Sequence, residues 1–260
     1  MSEPINSLQN PRVKLAHGLQ TRPRTRAKEQ KITLEGTRLI RDALERGNRP
    51  LFTFYDPASA DYDLVAQLQG LRGSPLLPVT TEVMRYICDT QQPQGMLAVF
   101  PMPNPDPPRT PRRVLILDAI REPGNMGTIL RAAAASGVDA VILAAGCVDP
   151  YNPKVLRAGM GAHFRVPLFE ATWGQIATYT EGLRIFLADA SGEQSYTQVD
   201  WAPPWALIIG NEAHGISQRA EQLQGQRIAI PMAAATESIN AAMAAAVILF
   251  EAQRQRLTSP

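Results

Sequence analysis

The apolar positions of the first hundred residues alternate between helical and strand spacing. In residues 37–47, Leu39, Ile40, Ala43 and Leu44 recur on one face and Gly47 follows as a stop, which predicts a helix. Helical spacing recurs over 60–68, closed by Gly70, and over 81–89. Short apolar runs predict strands at 51–55, 76–79 and 95–100. Strands separated by helices of about ten residues predict a small α/β domain over residues 1–100.

The second half repeats the theme with longer apolar runs. Residues 114–119 read as a buried parallel strand. A Gly-containing loop follows over 122–127, then an Ala-rich helix over 128–136 closed by Gly137, then a strand over 140–144. That is one βαβ unit. Further strands are predicted at 185–188, 206–209 and 227–231, and a long closing helix from about 239 to 256. The chain shows no internal repeat.

Composition divides this pattern. Six prolines fall within residues 101–111, which excludes a helix or central strand and predicts an extended linker over 101–112. The expected domains are therefore 1–100 and 113–260. With 45% hydrophobic and 19% charged residues the chain can bury a core. The apolar run 241–250 is too short to span a bilayer, and the N-terminus lacks the apolar core of a signal peptide. Two cysteines make no disulfide framework, and Cys147 reads as a small buried hydrophobe. His17, His163 and His214 are scattered, so no metal site is expected. These features imply a cytoplasmic, metal-free globular protein without a membrane partner.

The net charge of +2 hides an uneven distribution. Residues 1–50 carry 11 Lys/Arg against 5 Asp/Glu, whereas residues 101–260 carry 13 against 14. The densest basic stretch contains Arg22, Arg24, Arg26 and Lys28. It reads either as a solvated face or as a phosphate-contacting surface.

Three loops carry candidate chemistry. The first, 117–131, lacks the G-x-G-x-x-G dinucleotide fingerprint and any following Gly-Lys-Ser/Thr, which disfavours a nicotinamide dehydrogenase or a phosphate-loop enzyme. It leaves Asn125 before a helix and Arg131 one turn inside, either a surface cation or one that meets a partner or ligand. The second, Gly210-Asn-Glu212-Ala-His-Gly215, places a glycine and a carboxylate at a strand end. Read alone, it is compatible with an ordinary turn. In the third, 230–242, Ser238 is positioned to cap the final helix, and Asn240 sits where propensity disfavours it, which points to a tertiary contact. The alanines that follow suit a tight core or a dimer interface.

In this order the loops resemble the SpoU/TrmH family of RNA ribose 2′-O-methyltransferases within the SPOUT superfamily. Asn125-Met-Gly-Thr-Ile-Leu-Arg131 is similar to its first motif, Gly210–Gly215 to its second, and Ile230-Pro-Met with Ser238-Ile-Asn240 to its third. The segment from Asp149 to Gly161 is also similar to a family segment. Ser7-Leu-Gln-Asn-Pro-Arg-Val-Lys14, Glu35-Gly-Thr-Arg-Leu-Ile and Pro93-Gln-Gly-Met-Leu-Ala-Val resemble its ribosomal-protein-like substrate-binding domain.

The resemblance implies a C-terminal parallel-sheet SPOUT domain with a trefoil knot, an N-terminal α/β RNA-binding domain, and a homodimer packed through the knotted region. It implies S-adenosylmethionine as cofactor, held by Ile209, Gly210, Ile230, Met232, Ile239 and Ala242. It implies that Arg131 acts as base or positions the ribose, arranged by Asn125, Glu212, Ser238 and Asn240. Lys154 and Arg157 become candidates for RNA backbone contacts, beside Arg22, Arg24, Arg26 and Lys28. Two departures stand out: Ala242 lacks a hydroxyl that the family's third motif carries, and Gly159 stands where a serine is common. The expected activity is methylation of a ribose 2′-hydroxyl in ribosomal RNA. The alternatives are a transfer-RNA ribose methyltransferase and a catalytically silent RNA-binding homologue.

Overall fold

The computed structural model of the protein describes residues 3–103, 105–233 and 238–258. It divides into two compact units. The first comprises Met1–Pro103 and Tyr151–Gly161, the second Asn104–Pro150 and Ala162–Pro260. The first boundary falls inside the proline-rich stretch.

In the first unit the chain runs through α1 (Pro11–Thr21), α2 (Pro23–Glu29), β1 (Lys31–Glu35), α3 (Thr37–Glu45), β2 (Phe52–Tyr55), α4 (Tyr62–Gln69), β3 (Leu76–Pro78), α5 (Thr81–Ile87) and β4 (Met96–Pro101). Asn10 starts α1 by accepting from the backbone N–H of Arg12, with Pro11 in the first turn. The sheet order is β1-β4-β2-β3. β4 runs antiparallel to both neighbours and β3 parallel to β2. Val13 and Leu19 of α1 pack with Val83 and Met84 of α5 against Phe54, Leu97 and Val99 of the sheet.

The second unit opens with β5 (Arg113–Leu117), α6 (Pro123–Ser136) and β6 (Ala140–Leu143). The following helix, α7 (Pro153–Gly159), belongs instead to the first unit, where it packs on β1. This differs from the uninterrupted 113–260 domain expected from sequence. The chain returns with β7 (Leu168–Glu170), α8 (Trp173–Tyr179), β8 (Arg184–Ala188), β9 (Gln194–Ser195), β10 (Trp205–Ile209), α9 (Gln218–Glu221), β11 (Gln226–Ala229) and α10 (Ala241–Thr258).

These seven strands form one sheet in the order β7-β6-β5-β10-β8-β11-β9, and every recorded pair is parallel. Val114, Leu115, Ile116 and Leu117 are fully buried, as are Ala206, Leu207 and Ile208, because helices cover a parallel sheet on both faces. Strand order reverses between β5 and β10. That reversal is a topological switch point, where strand-end loops diverge and leave room for ligands. Leu117 pairs with Ile209, so the first and second candidate loops leave the sheet side by side.

Two expectations change at helix starts. α6 begins at Pro123, five residues earlier than expected, with Glu122 as its cap. Asn125 therefore lies in the first helical turn. α10 is capped by Asn240 and not by Ser238: Oδ1 of Asn240 accepts from the backbone N–H groups of Ala242 (2.8 Å) and Met243 (3.3 Å). α10 packs against α6, burying Ala242, Ala245, Ile248, Leu249 and Ala252. These alanines serve contact within the chain, and a different face of α10 is left exposed. Among the described residues no helix is long and apolar enough to cross a membrane.

Candidate active site

The carboxylate of Glu212 ties the first two loops together. It accepts from the backbone N–H of Arg121 (3.3 Å) and Glu122 (3.2 Å), and from Nδ2 of Asn125 (3.0 Å). A carboxylate only accepts, so it fixes the Asn125 amide with Nδ2 inward and Oδ1 outward. That Oδ1 accepts from Nδ2 of Asn240 (2.8 Å), whose own Oδ1 caps α10. One donor-to-acceptor chain thus joins all three loops, and each amide orientation follows from the charge at its end.

Burial pushes the Glu212 carboxyl up. Hydrogen bonds from Asn125 and from the backbone of Glu212, Arg121 and Glu122 outweigh it and hold the group below the ordinary carboxylate range. A depressed folded value contributes stability that is fully present above the unfolded value of about 4.3. That contribution is lost as pH falls through the folded value. The Glu212→Gln variant is expected to show a weaker fall of melting temperature below pH 4 than the wild type. Identical acid limbs would contradict this.

The second loop closes on itself. Asn211 and Gly215 exchange two backbone hydrogen bonds of 2.9 Å, and Oδ1 of Asn211 accepts from the backbone of Ala213 and His214. A Cβ on Gly210 would lie 2.4 Å from the carbonyl of Gly215, so the hairpin itself demands glycine there. His214 contributes its backbone N–H to the turn and is exposed. Sequence reading passed over two anchors. Nδ2 of Asn211 donates to the carbonyl of Ala119 (2.7 Å), which holds the non-glycine Ala119 at φ 56°. The buried carboxylate of Asp118 accepts from the backbone N–H of Ser217 (2.7 Å). The available signal was an acid directly after an apolar strand.

Arg131 lies on the exposed stripe of α6 with Gly124, Thr128 and Ala135. It has no hydrogen bond or ion pair with any described residue. It stands about 9 Å along the helix axis from Asn125. Ser238 is exposed and likewise makes no hydrogen bond among the described residues. Of the residues expected to hold a cofactor, Ile209, Gly210 and Ala242 are buried, while Ile230, Met232 and Ile239 are half-buried. The middle of the third loop, 234–237, lies outside the described residues.

The basic residues of the first unit separate into two kinds. Arg22, Arg24, Lys28 and Lys154 are exposed. Arg26 departs from the expected RNA-facing role. It is buried, and its Nη1 donates to the carbonyls of Leu19 (2.6 Å) and Gln20 (3.4 Å), two orphan acceptors at the end of α1. Arg157 departs too, because it pairs with Asp89 at 2.6 Å and Glu35 at 3.7 Å within the same unit.

Neither cysteine is poised to react. Burial pushes the Cys88 thiol well up and the Cys147 thiol to about 11. Cys147 is half-buried, not enclosed in the core as expected from its apolar neighbours. Burial lowers His163 to about 4, so it is neutral, hydrogen-bonded to the carbonyl of Pro150 at 2.8 Å. Among the described residues no group of His, Cys, Asp and Glu is placed to hold a metal ion.

Comparison with known proteins accords with these loops. Residues 112–250 match the SpoU rRNA Methylase family, and residues 10–98 match the MRM3-like substrate binding domain. The chain is 35% identical to the mitochondrial rRNA methyltransferase 3 of Mus musculus, over 88% of this chain and 69% of that protein. It is 29% identical to the 23S rRNA (guanosine(2553)-2′-O)-methyltransferase RlmP of Bacillus subtilis, over 95% of this chain and 97% of that one. The crystal structure of an AdoMet-bound rRNA methyltransferase from Sinorhizobium meliloti aligns with a TM-score of 0.84 at 29% identity, covering 99% of both chains. The chain belongs to the SpoU rRNA methylase family, within the SpoU/TrmH group of RNA 2′-O-methyltransferases.

Proposed function

We propose that this protein methylates a ribose 2′-hydroxyl of ribosomal RNA, with its catalytic residues on the three joined loops of the second unit. The observation that carries this reading is the chain Glu212–Asn125–Asn240, which fixes those loops on the helix that bears Arg131, a cation unpaired among the described residues.

The strand ends suit S-adenosylmethionine. Ile230, Met232 and Ile239 are apolar yet half-buried, which leaves apolar surface for an adenosyl group beside Ile209, Gly210 and Ala242. When bound, the cofactor supplies a sulfonium methyl already activated for transfer. The remaining work falls to side chains. The guanidinium of Arg131 holds the 2′-hydroxyl and its neighbouring phosphate in line and eases loss of the hydroxyl proton to solvent water, to which this exposed side chain is open. Its intrinsic pKa, above about 12, favours the electrostatic role over that of a free base. Asn125, Glu212 and Asn240 position the loop, and Ser238 contributes an exposed hydroxyl at the site.

The trefoil knot is part of the same reading. β8 precedes β10 in the chain but lies between β10 and β11 in the sheet, so the last strand must cross to the far side of β8. That ordering supports a threaded chain. A homodimer is supported by α10, whose exposed stripe is Met243, Val247, Phe250 and Leu257, with Met243 61% and Leu257 73% exposed. Phe250→Asp is expected to shift the protein from dimer to monomer in light scattering, and an unchanged mass would contradict this interface.

The first unit is the RNA-binding domain in this account, and the protein acts in the cytoplasm. Replacing Arg22, Arg24 and Lys28 together by alanine is expected to weaken RNA binding without changing stability. The salt slope should shrink by about 0.7 for each phosphate that is no longer neutralised. Arg26→Ala should instead cost about 1–3 kcal/mol of stability, because it strands two buried carbonyls. Equal effects in binding and melting experiments would contradict this division.

The reaction is tested with labelled S-adenosylmethionine and unmodified ribosomal and transfer RNA. Label entering ribosomal RNA supports the reading, and label entering only transfer RNA favours the alternative substrate. Cofactor binding without transfer to any RNA would leave a silent RNA-binding homologue.

A further inference from the structure

A second feature borders the first loop from the opposite flank. A cavity of about 320 Å³ opens at the carboxyl ends of β6 and β7, lined by Ala144, Gly146, Cys147, Glu170, Thr172 and Gln175 among others. Its wall is bonded to the residues that lead into the first loop. The Cys147 thiol donates to the carbonyl of Leu117 (3.3 Å), and the backbone N–H of Val148 donates to Ile120 (2.8 Å). Gly146, at φ +94°, packs so close that a Cβ there would lie 3.2 Å from the Cβ of Ala119. Residues 117–122 therefore bond to the wall of this cavity through Leu117 and Ile120, to Asn211 through Ala119, and to Glu212 through Arg121 and Glu122. The volume is at the small end of ligand pockets, which suits one planar heterocycle with its sugar.

The polar groups of the cavity have a definite sense. Oε1 of Gln175 is occupied, accepting from both the backbone N–H and the hydroxyl of Thr172 at 2.9 Å. Gln175 is exposed, and its Nε2 makes no hydrogen bond with a described residue, so it remains as a donor. Glu170 is exposed and makes no hydrogen bond or ion pair with a described residue, so its two oxygens remain as acceptors. The cavity thus offers one donor and a pair of acceptors. Guanine alone among the four bases presents the complement on its pairing edge, with O6 as acceptor beside the N1–H and N2–H donors. Adenine offers one donor and one acceptor there, and cytosine and uracil lack two adjacent donors.

We propose that this cavity holds the base of the nucleotide whose ribose is methylated, and that Glu170 and Gln175 select guanine. The inference rests on the methyltransferase reading above and deepens it. A base clamped on one flank of the first loop fixes where its own ribose falls, which an in-line transfer requires.

The test has two arms. In calorimetry with the intact protein, GMP should bind at least about tenfold more tightly than AMP, and Glu170→Gln should remove that advantage. Melting temperature and S-adenosylmethionine affinity should stay unchanged. In the transfer assay the mapped site should be a guanosine. Its replacement by adenosine should lower kcat/KM at least about tenfold in the wild type and much less in Glu170→Gln. Equal binding of GMP and AMP, or a base preference that Glu170→Gln leaves intact, would overturn the pocket. GMP selectivity without methyl transfer to any RNA would overturn the methyltransferase reading and leave the pocket standing.

Discussion

Arg131→Ala is expected to lower kcat for methyl transfer by about 10²–10⁴-fold while melting temperature and S-adenosylmethionine affinity stay unchanged. The side chain is exposed and unpaired among the described residues, so its removal strands no partner and opens no cavity. The loss should appear in kcat as well as kcat/KM, because the proposed contact is with the reacting ribose and its phosphate. Arg131→Lys keeps the charge but loses the planar fork, and should recover only a small part of the rate. A variant with full kcat would remove Arg131 from the mechanism. A variant with a lowered melting temperature would make it a structural residue.

The second large effect is expected from Gly210→Ala. The added Cβ would meet the backbone of Gly215 at 2.4 Å and that of Ile216 at 2.6 Å. These atoms belong to one backbone peptide, with no flexible side chain to yield, so the hairpin must open. Opening breaks the Asn211–Gly215 pair and shifts Glu212, which anchors Asn125. The expected cost is about 2–3 kcal/mol of stability, seen in chemical denaturation. Cofactor affinity should fall at least about tenfold, since the loop lies at the end of β10 proposed to hold the cofactor. Unaltered stability and affinity would show that the hairpin is not rigid.

The strong periodic segments were legible in the sequence. β5, β6 and β10 coincide with apolar runs because parallel strands are buried on both faces, while β8 and β11 bury only their middle residues. α3 follows from Leu39, Ile40 and Ala43 on one face, all buried in the structure. Three candidate residues from separate motifs, Asn125, Glu212 and Asn240, are joined by hydrogen bonds, and the contact suspected for Asn240 exists as its bond to Asn125. Other features depend on distant partners. Arg26 reads as one more cation in a basic run, and only the position of the α1 terminus turns it inward. Nothing local assigns α7 to the first unit, because the Arg157 pairing with Asp89 and Glu35 spans distant parts of the chain. Ser238 and Asn240 are both good capping residues, and tertiary geometry chose Asn240. The exposed apolar stripe of α10 is masked in the sequence by its alanines, which mark the face that packs on α6.

The central claim is that the transferred methyl ends on a ribose oxygen and not on a base. RNA labelled by the wild-type protein can be hydrolysed in alkali, which needs a free 2′-hydroxyl at every cleaved linkage. The account requires the label in a single alkali-stable dinucleotide, absent when Arg131→Ala replaces the wild type. Label recovered in an ordinary mononucleotide, with the methyl on its base, would contradict it.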